Sequence, residues 1–150
     1  MSVQVPAQAI EDARGADGEL YPVLLAIARY ESGYNPQAIG DGGCSKGYLQ
    51  FNQCGGLGAG HSDAELLDGP SNMRLGAQYI RGRLAGGASL WDALQPWSVR
   101  SQAWALLQQM QAEGIEGAGS VPAWTGNGSP QVSGAALGLA AVVALLILLG

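Results

Sequence analysis

One stretch limits the folds open to this chain more than any other. Leu20, Val23, Leu24, Ile27 and Ala28 recur at spacings of three and four, the period of a helix with one apolar face. Pro22 suits the first turn, where its missing N–H leaves no helical bond unmade. Carried on by three or four residues, the stripe reaches Glu31 in "ARYESGY", so the carboxylate belongs to the inward face. Asn35-Pro36 is expected to stop the helix, because the residue before a proline is driven out of the α region. The chain then enters residues 37–60, which hold eight glycines. The expectation is an inward-facing acid at a helix end, next to a glycine-rich loop with a small hairpin and one short helical turn near Tyr48–Phe51.

Further helices follow from the same period. Pro6–Arg14 is a first short one. Ser62-Asp-Ala-Glu65 reads as a capping box leading into Leu66 and Leu67. Gly69-Pro70 is expected to break that helix, with Ser71 or Asn72 capping the next to about Leu84, and Leu75, Gly76, Tyr79 and Ile80 facing inward. Ser89 caps a brief "LWDALQ" helix, and Ser98 caps a last one to about Glu113. Trp104 is assigned to the core, and Arg74, Arg81 and Arg83 to a solvated face. With 150 residues, 47% hydrophobic and 13% charged, the chain is globular or membrane-associated and not disordered.

The organisation reads as three parts. Residues 1–113 form a small helical domain. Residues 114–131 are rich in Gly, Ser and Pro, the composition of a linker. Residues 132–149 are apolar, and no charged residue occurs from Gly117 to Gly150. Those eighteen residues reach roughly 27 Å as a helix, enough for a bilayer core, so a C-terminal transmembrane anchor in a lipid bilayer is expected. The N-terminus, with its early acidic residues, does not read as a secretory signal.

The net charge of −5 and scattered Lys and Arg exclude a nucleic-acid role and long-range attraction to an anionic polymer. Any such polymer must be held by local contacts. Cys44 and Cys54 are either a local disulfide or two free thiols. A metal site is not expected, because His61 is the only histidine and there is no CxxC pair.

"YESGYNPQAIGDGGCSKGYLQFN" resembles the signature of the soluble lytic transglycosylase family of the lysozyme-like superfamily. The pattern there is Glu-Ser at a helix end, an Asn-Pro break, a Gly-rich loop and Gly-Leu-Met-Gln-Ile. This chain offers Glu31-Ser32, Asn35-Pro36, Gly42-Gly43 and Gly47-Tyr48-Leu49-Gln50-Phe51. "NMRLGAQYI" fits the next family element through Asn72, Gly76 and Tyr79. The family's Tyr-Asn-Ala-Gly motif is not matched, and the nearest segment is "PWSVRS" with Trp97 and Ser98. The resemblance covers roughly residues 20–105. It implies a mainly α, α+β lysozyme-like fold and cleavage of β-1,4 bonds in peptidoglycan glycan strands without a cofactor.

In that family one glutamate is acid and then base toward the sugar's own 6-hydroxyl, giving a 1,6-anhydro product. Glu31 is the residue that matches. Attack by water instead would be lysozyme chemistry and would usually need a second carboxylate. Asp41 is the one acid in the loop; it reads as turn chemistry or as that second carboxylate. Substrate-binding candidates are Ser32, Gln50, Tyr48, Tyr79 and Trp97. Ser32 alternatively bonds back to its own helix, and Tyr79 is alternatively core. The layout, a small domain on a C-terminal anchor, is similar to virion-associated phage enzymes that open the cell wall, which implies contact with virion proteins. A bacterial envelope enzyme, a lysozyme-type hydrolase and a non-enzymatic virion membrane protein are the competing readings.

Overall fold

The computed structural model describes residues 1–121. The apolar stripe becomes helix α2, Tyr21–Ser32, in which every residue from Tyr21 to Ala28 is buried. A one-sided stripe would leave the opposite face wet, but three other helices pack around α2. They are α1 (Ala7–Ala16), α4 (Gly69–Ala85) and α6 (Arg100–Glu113). Two short helices, α3 (Asp63–Leu66) and α5 (Leu90–Ala93), complete the helical set among the described residues. The core holds Leu20, Leu24, Ile27, Leu49, Met73, Ile80 and Met110, all essentially without exposure.

The glycine-rich segment folds into a three-stranded antiparallel sheet in the order β1 (Ile39–Gly40), β2 (Ser45–Lys46), β3 (Phe51–Asn52). Ile39 pairs with Lys46, and Lys46 with Phe51. A 3₁₀ turn, Asp41–Gly43, joins the first two strands. Cys44 and Cys54 form a disulfide that ties the start of β2 to the residues after β3, which decides between the paired and free-thiol alternatives. The helical turn expected at Tyr48–Phe51 is instead a tight non-helical turn leading into β3. Gly47 opens it at φ 80°, and a Cβ there would meet the Asn72 amide and the Leu66 carbonyl, so only glycine fits.

Asn72 locks this turn to α4. Fully buried, it accepts from the Leu49 N–H at 3.0 Å and donates to the carbonyls of Lys46 at 3.1 Å and Leu66 at 2.8 Å. Lys46 is also buried, and its ammonium donates to Gln53 at 2.6 Å and Asp63 at 2.7 Å. Arg81, expected on a solvated face, instead forks onto Asp17 at 2.8 and 2.9 Å. That pair ties α4 to the turn between α1 and α2.

Several helix ends differ from expectation. Helix α2 stops before Asn35-Pro36. Gly33 caps it at φ 59°, and Tyr34 follows at φ 65°, because a left-handed glycine ends a helix at no steric cost. Gly69-Pro70 does not break a helix but forms the first turn of α4, with Asp68 as the cap accepting from the Ser71 N–H at 3.0 Å. A proline there loses no helical bond. Helix α6 begins at Arg100, and its capping residue Val99 provides no side-chain bond, so Ser98 is not a cap. The Ser62 and Ser89 caps form as expected, each accepting at 3.1 Å from the third residue on.

The N-terminal segment pairs with the residues that follow α6. The Val3 N–H donates to the Gly114 carbonyl at 3.0 Å and the Glu116 N–H to the Val3 carbonyl at 2.9 Å. Ile115 and Ala118 are buried, so the domain's core continues past Glu113 into the segment read as linker. Among the described residues no helix is long and apolar enough to cross a membrane. The expected spanning run, 132–149, and most of the linker lie outside the described residues.

Candidate active site

Because α2 is anchored by a fully buried body, its last turn is fixed in space. Glu31 is half-buried there and lines a cavity of about 550 Å³. The facing wall comes from the sheet: Asp41 on the 3₁₀ turn, Ser45 on β2, and Gln50 and Phe51 at the turn into β3. Pro96, Trp97 and Ser98, between α5 and α6, close the third side. Burial first, and the negative charge of Asp41 second, push the Glu31 carboxyl up from its ordinary 4.5 to about 7. Desolvation penalises the carboxylate and a like charge nearby adds to that penalty. The group therefore holds a proton near neutrality and can both give and take one.

The other expected site residues divide. Gln50 and Trp97 line the cavity with Glu31, but their side-chain N–H donors are engaged by the protein. Gln50 sits at φ 52°, and its amide donates to the carbonyls of Ala38 at 3.1 Å and Gly47 at 3.0 Å. Those bonds hold β1 against the turn. The Trp97 indole N–H donates to the Leu49 carbonyl at 2.9 Å, and its ring meets Phe51 and Tyr79 edge-on at 6.0 and 5.8 Å. Trp97 is only 5% exposed, so it shapes the cavity wall with a ring edge and has no free donor for a sugar or for Glu31.

Three candidates sit elsewhere. Tyr48 was expected in the cleft wall; it is 1% exposed and points to α1, donating its hydroxyl to Asp12 at 2.9 Å. The reason is that its ring packs beside Gly69 at the start of α4 and its hydroxyl finds a partner on α1. Ser32 bonds back to its own helix, donating to the Ala28 carbonyl at 3.1 Å, and does not line the cavity. Tyr79 is partly buried against Trp97 and supports the wall from behind.

Ser98, expected as a helix cap and as part of "PWSVRS", also lines the cavity, as do Ser45, Asn52 and Leu57, which the sequence did not single out. Ser45 is the informative one: it is buried and donates its hydroxyl to Asp41 at 2.5 Å. Its signal was spacing, since a serine four residues after Asp41 faces it only once β1 and β2 pair. Among the described residues no group of His, Cys, Asp and Glu could hold a metal ion.

Comparison with curated proteins gives no match, and comparison with solved structures gives none. The family model described as Transglycosylase SLT domain matches residues 8–97, more than half of the 150 residues. That span runs from α1 through Glu31, the sheet and α4 to Trp97. A half-buried glutamate at the end of a buried helix, facing a glycine-rich hairpin across a cavity, is thus set in a matched domain, and the chain belongs to the SLT transglycosylase family, enzymes that cleave peptidoglycan.

Proposed function

We propose that this protein is a membrane-anchored lytic transglycosylase that cleaves the β-1,4 bond between MurNAc and GlcNAc, with Glu31 as the single acid–base residue. The observation that carries this reading is the half-buried Glu31, pushed up to about 7, on the wall of a cavity open to solvent. The carboxyl donates its proton to the bridging oxygen as the bond from the MurNAc anomeric carbon breaks. The resulting carboxylate then takes the proton of that sugar's 6-hydroxyl as this oxygen closes on the anomeric carbon. The 1,6-anhydro end forms and Glu31 is protonated again. General acid–base catalysis of this kind works best when the group's pKa lies near the working pH.

The sign of the pH dependence follows. Cleavage needs protonated Glu31, so kcat/KM should fall about tenfold per pH unit above about 7. The folded state binds this proton more tightly than the unfolded chain does, so stability should also decline as pH rises from 4.5 to about 7. A rate profile on solubilised glycan strands between pH 5 and 9 checks the first statement. A flat profile across pH 7 would remove Glu31 from the acid role.

The apolar, charge-free run at 132–149 supports attachment to a bilayer, with residues 114–131 as the tether to the domain at 1–113 and its short buried extension. The Cys44–Cys54 disulfide supports work in an oxidising, extracytoplasmic setting. A small wall-cleaving domain on such a tether fits a phage virion membrane, where it would open the cell wall during entry. The test is twofold. Digestion of peptidoglycan by the full chain in detergent should release anhydro-muramyl ends by mass spectrometry. The full chain should float with liposomes whereas residues 1–131 should not; a full chain that stays in the soluble fraction would sink the anchor.

A further inference from the structure

The cavity holds a second carboxylate that the acid–base cycle of Glu31 does not use. Asp41 and Glu31 are the two ionisable groups on its wall. Turn chemistry explains why an aspartate is tolerated at position 41 but not why it is there. Its backbone is left-handed at φ 50°, a conformation that favours glycine, and it stands in "GDGG", where Gly42 and Gly43 also have positive φ. Aspartate is among the few side chains that enter this region, and its place on the cavity wall motivates a functional reading.

The side chain is also aimed and held. One oxygen accepts from the hydroxyl of Ser45 at 2.5 Å, and Ser45 is 1% exposed on β2. Among the described residues no cation pairs with Asp41. The residue is solvent-exposed, so water reaches its other oxygen. Its charge is felt at Glu31 across the cavity.

We propose that Asp41 opens a hydrolytic branch of the reaction, taking a proton from a water that attacks the same anomeric carbon, so that the site releases reducing-end sugars beside the anhydro product. The step rests on the reading of Glu31 given above. Glu31 gives its proton to the leaving oxygen and the bond to the anomeric carbon breaks. The water oxygen bonds to that carbon and its proton passes to Asp41, which returns it to solvent while Glu31 is reprotonated from solvent. In inverting glycoside hydrolysis one carboxylic acid protonates the leaving oxygen and a second carboxylate activates a water, and the cavity wall offers one carboxyl for each task. The 6-hydroxyl and the water compete for one cation, and the carboxylate beside the water sets the ratio.

The experiment is product counting by mass spectrometry with the full chain in detergent, acting on glycan strands whose original reducing ends have been reduced with borohydride. The wild type should release new reducing ends together with anhydro ends. Asp41→Asn and Asp41→Gly, the latter suited to the left-handed backbone, should each lower the ratio of reducing to anhydro ends at least about tenfold while anhydro product persists. Anhydro ends alone from the wild type, or the same ratio in both variants, would overturn the proposal and leave the transglycosylase reading standing. Reducing ends alone, lost in both variants, would uphold Asp41 and overturn the anhydro product.

Discussion

Glu31→Gln should lower the rate of peptidoglycan cleavage by about 10²–10⁴-fold, the usual worth of a positioned general acid or base. The amide keeps the shape of the side chain and can neither give nor take the proton. Two measurements separate a lost proton from a lost fold. Turbidity loss of purified cell walls should fall to near background. Thermal melting at pH 8 should stay level or rise, because the variant removes a carboxylate that burial and Asp41 disfavour. Equal lysis by wild type and variant would mean that the chemistry lies elsewhere, and a melting point many degrees lower would mean that Glu31 is structural.

Asn72→Leu should give the largest loss of stability among single changes near the site. The side chain is 0% exposed and bonds three backbone groups, the Leu49 N–H and the carbonyls of Lys46 and Leu66. Leucine is close in size but leaves all three unpaired. At about 1–3 kcal/mol for each buried polar group left unsatisfied, the loss should come to roughly 3–9 kcal/mol, a large part of the ~5–15 kcal/mol that holds a domain together. Urea denaturation followed by tryptophan fluorescence reads this as a lower midpoint at unchanged slope. A shift worth less than about 1 kcal/mol would mean that water or a relaxed turn replaces the amide. Because the same turn carries Gln50 and Phe51 into the cavity wall, cleavage should weaken along with stability.

Those two residues mark what was legible in the chain. Glu31 was found by periodicity, since a stripe of inward residues extends to it and helix geometry has one answer. Asn72 entered only as a motif letter and as a possible cap. Its true task depends on Lys46 and Leu49, more than twenty residues away, and no local pattern reports such a partner. The capping serines at 62 and 89 were readable because a cap is satisfied within four residues. Ser98 and Asn35-Pro36 misled for a related reason. Several local signals competed for each helix end, and the winners were Gly33 and Val99, chosen by the backbone path that packing imposes.

The site residues follow the same division. Gln50, Tyr48 and Trp97 were chosen as polar or aromatic groups available to a sugar. Tertiary contacts had already engaged them: Gln50 with Ala38 and Gly47, Tyr48 with Asp12, Trp97 with Leu49. A side chain's chemistry is written in the sequence, but whether it is free to act depends on whether the fold needs its hydrogen bonds elsewhere.

By itself the sequence determined the helical stripe, the inward carboxylate at its end, the glycine-rich loop that follows, and the family. All of these are set by neighbours within a few turns of chain or by an ordered motif. Only the tertiary structure decided that Glu31 shares a cavity with Asp41 and Ser45, that Cys44 and Cys54 join, and that Asn72 holds the turn. Each of those needs two distant segments to meet, and their meeting is settled by packing of the whole core around α2.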